Sequence, residues 1–462
     1  MSAGQVLTAA QMRAAEQALF NAGTSVSDLM ETAAGGAAEW IRRIAAGRSV
    51  TVLCGPGNNG GDGYVIARRL RDAGNAVAVV APIDPATDAA REARRRWDGP
   101  VAAVGGAQGD VFVDCLFGSG LARPLMDEHA LLLRDLAARH HYRVAVDIPS
   151  GVDSDSGAVL GERLPTFDLT LALGAWKFAH WSLPGRALMG QMRLVRIGIG
   201  SVAGAAHMIE RPRIAAPPAD SHKYRRGLLG IIGGAMPGAS LLSAAAAQRA
   251  GAGYVKLLAS KPDLLTPPDV VTDSAPLAEA LADPRIATVL VGPGLGRDAA
   301  AQSALAAAVA QARGLVIDAD ALMLLEPAML TRNPPILATP HDGEMDALCR
   351  AFGVIADGRR DRALALARVS GMVVLAKGPD SVVAAPDGRL ALAPPAPSWL
   401  SVAGTGDVLA GIAASRMACG ADPFTAACEA VWLHGDAARR AGAAFTPSQL
   451  AERVSEALAA CL

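Results

Sequence analysis

Lysine is scarce in this chain of 462 residues: Lys177, Lys223, Lys256, Lys261 and Lys377 are the only five among 43 basic residues. A lysine beside a glycine-rich loop therefore carries more meaning here than in an average protein. The six cysteines (Cys54, Cys115, Cys349, Cys419, Cys428, Cys461) form no C-x-x-C pair. That argues against a zinc knuckle, a redox dithiol and a disulfide framework, and makes a reducing cytoplasm the expected compartment. Met1 to Arg13 lacks a basic stretch followed by an apolar core, so no signal peptide is expected. The longest uncharged run, Leu228 to Ala247, is broken near its start by Gly230, Gly233, Gly234, Pro237 and Gly238. It reads as a buried strand, a glycine loop and an Ala-rich helix, not as a membrane span. No G-x-x-x-x-G-K-[ST] occurs, which excludes phosphoryl transfer of the P-loop type. No short-period repeat points to a solenoid. Lys+Arg is 43 against Asp+Glu 44, a net charge of -1, so nothing draws the chain to nucleic acid or to an anionic membrane. Small molecules are the expected partners.

Hydrophobic residues make up 51 % and charged residues 19 %, a composition that folds. The length exceeds that of a single average domain, about 150 residues, roughly threefold. In the first half, short apolar runs alternate with helical stretches, the pattern of βαβ units in a parallel sheet covered on both faces. Expected strands are Val50–Cys54, Ala76–Ala81, Val111–Leu116, Arg143–Ile148, Leu169–Leu173 and Arg193–Ile197, with helices at Thr8–Ala22, Tyr64–Ala73 and Leu131–His140. Pro212, Pro217 and Pro218 mark 211–220 as a linker between domains 1–210 and 221–462. Beyond it, strands are expected at Leu228–Ile232, Tyr254–Leu258, Thr288–Val291, Leu315–Ile317, Ile336–Ala338 and Met372–Leu375. A hairpin at Ser381–Leu392 turns on Pro386-Asp387-Gly388, and helices start at Val408, Pro423 and Ser448.

Gly55-Pro56-Gly57-Asn58-Asn59-Gly60-Gly61-Asp62-Gly63 lies between an expected strand and an expected helix. Glycines there let backbone N–H groups approach a phosphate at a helix N-terminus. A tight turn alone would need fewer of them. Asn58, Asn59 and Asp62 put polar side chains where a hydride-transfer fold has small apolar ones, so recognition or chemistry is expected at the loop itself. Two more strand ends are polar: Asp114 through Gly120, and Asp147-Ile148-Pro149-Ser150-Gly151. Asp114 and Asp147 each end an apolar run, where a carboxylate is costly unless it is paired, holds a cation or moves a proton. Loops at the carboxyl ends of strands can converge on one crevice.

The run GPGNNGGDG, followed by Asp-Cys-Leu-Phe-Gly-Ser-Gly and Val-Asp-Ile-Pro-Ser-Gly, resembles the YjeF N-terminal family of NAD(P)H-hydrate epimerases. The resemblance implies a Rossmann-like doubly wound sheet. It also implies that Asn58, Asn59, Gly60, Gly61 and Asp62, with Gly118, Ser119, Gly120, Leu121, Ala122, Arg123 and Pro124, bind hydrated NAD(P)H (NAD(P)HX). By the same carry-over Asn59, Asp114 and Ser150 ligate K+, while Asp147 contacts substrate and is a candidate acid/base. Oxygen donors of this kind suit an alkali cation.

In the second half, Ala403-Gly404-Thr405-Gly406-Asp407 opens an apolar helix, exposing amides at its positive end with a carboxylate in the first turn. That arrangement can stabilise a transferring phosphoryl group while Asp407 takes a proton from the attacking hydroxyl; a plain helix cap is the alternative. Lys377-Gly378-Pro379-Asp380-Ser381 follows an apolar strand and could meet a nucleotide phosphate or ribose. Gly292-Pro293-Gly294-Leu295-Gly296 ends another strand. His341 is the one histidine of eight in a strand-end polar cluster.

These motifs, with Gly233-Gly234 and Pro237-Gly238-Ala239, resemble the YjeF C-terminal family of ribokinase-like, nucleotide-dependent NAD(P)H-hydrate dehydratases. The resemblance implies that Lys377, Gly378, Pro379, Asp380, Ser381 and Gly406 bind ADP as co-substrate, with Mg2+, and that Ala239, Gly294, His341 and Asp407 contact the hydrate. Gly234-Ala235 stands where the family has glycine-serine, so one hydroxyl donor is missing. Together the two resemblances imply an α/β chain of two domains that epimerises NADHX and NADPHX and dehydrates the S form with ADP, acting as a homo-oligomer without nucleic acid or membrane. The competing expectation is a ribokinase-like small-molecule kinase with a regulatory nucleotide-binding first domain.

Overall fold

The computed structural model describes residues 4–102, 109–259, 266–332 and 334–462; Lys261 lies outside these described residues. The chain divides into two compact units, Met1–Ala206 and His207–Leu462.

The first unit opens with β1 (Gln5–Leu7), α1 (Ala9–Asn21) and α2 (Val26–Ala45). Strands and helices then alternate: β2 (Val50–Cys54), α3 (Asn58–Asp72), β3 (Val77–Val80), α4 (Asp88–Arg95), β4 (Gly109–Cys115), α5 (Asp127–Ala138) and β5 (His140–Val146). Next come β6 (Leu169–Leu173), β7 (Trp176–Lys177) and β8 (Gln191–Val195). Six of them form a parallel sheet in the order β3-β2-β4-β5-β6-β8, and β1 pairs in parallel with β7. The chain leaves β2 toward β3 on one side and returns to β4 on the other. The carboxyl ends of β2 and β4 thus flank a switch point, where open α/β sheets bind ligands.

Two departures from the sequence reading are informative. Helix α2 was not expected, because Gly35 and Gly36 weaken its helical signal. The glycine is steric: a Cβ on Gly36 would lie 2.5 Å from Val195 Cγ1. Helix α3 starts at Asn58, six residues before the expected Tyr64, so Asn58–Gly63 are its opening turns and not a free loop. Most of the glycines there serve packing. A Cβ would sit 1.7 Å from Leu116 O at Gly55, 1.8 Å from Gly55 O at Gly60, and 2.8 Å from Cys54 Sγ at Gly63. Only Gly57, with nothing within 4 Å, faces open space in this run.

In the second unit β9 (Ala206–Met208) pairs in parallel with β18 (Leu390–Leu392). Between them run β10 (Leu228–Ile232), α6 (Pro237–Arg249), β11 (Tyr254–Leu258), β12 (Val271–Asp273), α7 (Leu277–Leu281), β13 (Ile286–Val291) and α8 (Ala299–Gln311). They continue through β14 (Leu315–Ile317), α9 (Asp320–Leu324), β15 (Ile336–Ala338), α10 (Asp342–Ala351), α11 (Gly358–Ser370), β16 (Val373–Ala376) and β17 (Val382–Ala384). Helices α12 (Thr405–Ala418), α13 (Pro423–Ala441) and α14 (Pro447–Ala459) follow. The sheet order is β12-β11-β10-β13-β14-β15-β16-β17-β18, parallel through β16 and antiparallel in the expected hairpin. Its switch point lies between β10 and β13. Along β10, Leu229 and Ile231 bury into one apolar cluster while Leu228 and Ile232 bury into the other. Burial on both faces is why these strands read as unbroken apolar runs. Among the described residues, no helix is long and apolar enough to cross a membrane.

Candidate active sites

The first site is a cleft of about 790 Å³ at the β2/β4 switch point. Asn58, Asn59 and Asp62 of α3, the 118–123 loop, Asp147 and Lys177 line it, together with Met12, Arg13 and Glu16 of α1. Gly60 and Gly61 are buried behind it, and Pro124 stands outside. Asp147 is the strained residue, with φ +66°. A non-glycine residue there costs on the order of 1–3 kcal/mol, although aspartate tolerates the conformation better than most. The surroundings over-determine it. Its Oδ1 accepts from Lys177 Nζ at 2.5 Å and from the Leu173 N–H at 3.3 Å, and its Oδ2 accepts from the Ser119 N–H at 3.2 Å. Its carbonyl accepts from His180 Nε2 at 2.9 Å, while His180 Nδ1 accepts from the Lys177 N–H at 2.9 Å.

Burial alone would raise the Asp147 carboxyl; the Lys177 ammonium overrides it and holds the group below its ordinary value. His180, pushed down to about 4 by burial and by the Lys177 charge, stays neutral and can accept at Nδ1. Asp62 goes the other way, raised well above the usual carboxylate range by burial and by the Asp147 and Glu16 carboxylates. Burial also raises Glu16. Beneath the cleft, fully buried Asp114 accepts from Ser150 Oγ at 2.7 Å, from the Ser150 N–H at 2.9 Å and from the Leu116 N–H at 3.0 Å. Burial nevertheless pushes its carboxyl up to about 6. The Asn59 side-chain amide is buried with neither end hydrogen-bonded.

The sequence reading missed Lys177, His180 and Glu16. For Lys177 a clue was present: one of only five lysines lies four residues beyond the end of an apolar strand.

The second site gathers at the carboxyl ends of β14, β15 and β16 and at the start of α12. Lys377 Nζ lies 2.5 Å from Asp318 Oδ1 and 3.8 Å from Glu344 Oε2. Thr339 Oγ1 donates to the same Asp318 oxygen at 2.7 Å. The Asp318 and Glu344 carboxylates raise the buried Lys377 ammonium against the effect of burial. Gly406, in the first turn of α12, faces this amine: a Cβ there would lie 3.6 Å from Lys377 Nζ. Asp407 follows it. Burial, then the Asp318 carboxylate, push its carboxyl up to about 6, with Lys377 opposing.

The remaining expected residues fall around this core. Gly294, at φ +66°, lies so close to α6 that a Cβ would meet Met236 O at 2.2 Å and Ala239 Cβ at 3.1 Å. A depression of about 870 Å³ adjoins these loops at Gly234, Pro237 and Leu295 but does not include Lys377 or Asp407. His341 caps α10: its Nδ1 accepts from the Gly343 and Glu344 N–H groups, and Glu344 Oε2 accepts from its own N–H at 2.8 Å. Its Nε2 lies 3.3 Å from Glu344 Oε1, and the exposed part of the ring is what is left for a ligand. In Lys377–Ser381 the loop closes on itself, Ser381 Oγ donating to Gly378 O at 2.7 Å, and Arg359 pairs with both Asp380 and Asp342. Asp318 and Glu344 were not anticipated. Asp318 ends the apolar run Leu315–Ile317 just as Asp114 and Asp147 end theirs, so the same rule applied there would have found it.

Two family models match the chain. One described as NAD(P)H-hydrate dehydratase matches residues 229–460, and one described as YjeF-related protein N-terminus matches residues 26–179. A bifunctional NAD(P)H-hydrate repair enzyme of Salinibacter ruber is 35 % identical over 512 residues, covering 96 % of this chain and 93 % of that one. The chain belongs to the family of bifunctional NAD(P)H-hydrate repair enzymes. A family member from Thermosynechococcus vestitus is 34 % identical and covers 94 % of this chain and 93 % of its own length. Among solved structures, an ADP/ATP-dependent NAD(P)H-hydrate dehydratase from Bacillus subtilis, co-crystallised with ATP/Mg2+, is 26 % identical. It covers 54 % of this chain and 95 % of its own, with a TM-score of 0.48. Membership in this repair family agrees with both resemblances read from the sequence, in the same order along the chain.

Proposed function

We propose that the chain repairs hydrated NADH and NADPH: the first unit interconverts R and S NAD(P)HX at C6, and the second dehydrates the S form at the expense of ADP. The observation that carries the second half is Asp407, a carboxyl near 6 in the first turn of α12, with the Lys377 ammonium alongside. A group that titrates just below neutrality is matched to accepting a hydroxyl proton at cellular pH. In the proposed step the C6 hydroxyl oxygen attacks the terminal phosphorus of ADP, its proton passes to Asp407, and AMP leaves. The C6–O bond then breaks, the phosphate takes the electron pair, N1 donates its lone pair, and loss of a C5 proton restores the dihydronicotinamide ring. Ala239, Gly294, His341 and Asp407 are assigned to the hydrate. Lys377, Gly378, Pro379, Asp380, Ser381 and Gly406 are assigned to the nucleotide. Mg2+ is assigned to the nucleotide phosphates, on which it would arrive.

For the first unit, substrate contacts are assigned to Asn58, Asn59, Asp62, the 118–123 loop and Asp147. Asn59, Asp114 and Ser150 suit K+, since the Asn59 amide oxygen has no other partner and the buried Asp114 carboxylate no other cation. The six cysteines are free thiols, which suits a reducing cytoplasm.

The test follows NADH absorbance while the full chain acts on mixed R and S hydrated NADH with ADP, with ATP or with neither. Nucleotide-dependent recovery of all the NADH, faster than spontaneous epimerisation, is expected. Recovery that stops at the S fraction removes the epimerase half, and a stable phosphorylated product would favour the small-molecule kinase.

A further inference from the structure

Asp147 is one proton-handling group in the first cleft, but inversion at C6 needs two. The hydroxyl must leave from one face and water must add from the other, so a proton has to be delivered on one side and removed on the other. The molecule offers a second set. Asp62 is 8 % exposed and accepts no hydrogen bond among the described residues, yet it lines the cleft. Glu16 joins it from α1. Met12, one helical turn earlier, is buried against the β6–β7 turn, where a Cβ on Gly174 would lie 2.4 Å from Met12 Cε. Residues four apart share a helix face, so Glu16 is turned toward the cleft. The helix is itself fixed, because Thr8 and Gln11 form a capping box and the Ala9 N–H donates to Asp155 Oδ1 at 2.6 Å.

We propose that Glu16 and Asp62 form the second proton carrier of this cleft, working opposite Asp147 on the hydrated ring; the proposal rests on the epimerase reading above. In one direction the Glu16/Asp62 pair gives its proton to the C6 hydroxyl. The C6–O bond breaks with its electron pair going to oxygen, water departs, and N1 donates its lone pair to make the C6=N1 iminium. Water then adds to the opposite face of C6 and loses a proton to Asp147. Exchange with solvent water then returns the proton from Asp147 to the pair for the next turnover, reversal exchanges the two roles, and no oxidant or co-reactant is consumed. The environments suit this division: burial holds Glu16 and Asp62 toward the protonated form while Lys177 holds Asp147 ionised. Carboxyl pairs whose environments drive them apart are the usual source of separate acid and base. The charged groups around Glu16 are Arg13 on its own helix, Asp62 of α3, Asp147 after β5, Lys177 of β7 and Arg123 of the facing loop, with neutral His180 beneath.

The test uses the full chain and purified R-NADHX without nucleotide, with the S epimer followed by chromatography. Glu16→Gln should lower kcat on the order of a hundredfold with KM little changed. Glu16→Asp should recover part of it, and formate should partly rescue Glu16→Ala, which a merely structural role would not allow. The alkaline limb of the kcat profile, where the pair has lost its proton, should disappear in Glu16→Gln. An undiminished kcat in a folded Glu16→Gln chain, or a rise in KM alone, overturns the pair while leaving the epimerase intact. Failure of the unsubstituted chain to exceed spontaneous epimerisation overturns the epimerase reading itself.

Discussion

The two units use the same pair of residues in opposite ways. Each has an aspartate at the mouth of a parallel sheet and, close by, one of the chain's five lysines. In the first, Lys177 Nζ is bonded to Asp147 itself at 2.5 Å, and the carboxyl is held low. In the second, Lys377 Nζ is bonded at the same distance to a different carboxylate, Asp318, and Asp407 is left near 6. Residue type and a lysine close by therefore do not decide what an aspartate does. Bonded to its lysine, Asp147 is held toward the ionised form that receives a proton, whereas Asp407, passed over by its lysine, is left near 6.

The sharpest way to break this comparison is to remove the two aspartates in turn. Asp407→Asn should cost the dehydratase about 10²–10⁴ in kcat, the usual worth of a general base. It should leave R-to-S epimerisation unchanged, both read on one sample of mixed hydrate. Equal loss in both activities would mean that the units do not carry separate chemistry.

Next in size is Lys177→Met. It leaves the buried Asp147 carboxylate without its cation, which destabilises by about 3–5 kcal/mol. A fall in the melting temperature of the first unit, largely restored in the double variant Lys177→Met/Asp147→Asn, is the expected result. A melting temperature unmoved by Lys177→Met would show that Leu173, Ser119 and His180 suffice to hold Asp147 in its strained backbone.

Lys377→Met should act on titration as well as on stability, since it also leaves the buried Asp318 carboxylate without its cation. Asp407 must be ionised to accept a proton, so dehydratase kcat/KM should fall as pH drops through about 6 and level off above it. Lys377 lowers this carboxyl, whereas Asp318, Glu344 and Asp320 raise it, so removing the ammonium should move the midpoint to higher pH. The epimerase should show no loss near pH 6 attributable to Asp147, because its carboxyl is held low. A midpoint unchanged in Lys377→Met would detach the lysine from Asp407.

Much of this arrangement could be read from the chain, because parallel strands buried on both faces write themselves as apolar runs. Leu228–Ile232, Tyr254–Leu258 and Leu315–Ile317 are strands at the expected bounds. Polar residues that end such runs, Asp114 and Asp147, are legible in the same way, and Asp407 is legible from the glycine-flanked start of its helix. What could not be read were partners made only by folding. Lys177 reaches Asp147 across 30 positions and Lys377 reaches Asp318 across 59, separations that carry no local pattern. The glycine-rich run misled in one respect, since Gly55, Gly60 and Gly63 fit helix to strand and not helix to phosphate. Glycine needed for a close backbone contact and glycine needed for a ligand look identical in a sequence.

The smallest expected effect separates capping from recognition at His341. Its Nδ1 accepts from the Gly343 N–H at 3.0 Å and from the Glu344 N–H at 3.3 Å, and its Nε2 lies 3.3 Å from Glu344 Oε1. His341→Asn can still cap α10, whereas His341→Ala cannot, so the alanine variant alone should lose about 1 kcal/mol of stability in thermal melts. If the imidazole also meets the hydrate through the exposed part of its ring, both variants should raise the dehydratase KM alike while their stabilities differ. A KM that tracks stability, high in alanine and normal in asparagine, would make His341 a cap alone and leave Asp407 and Lys377 to recognise the ring without it.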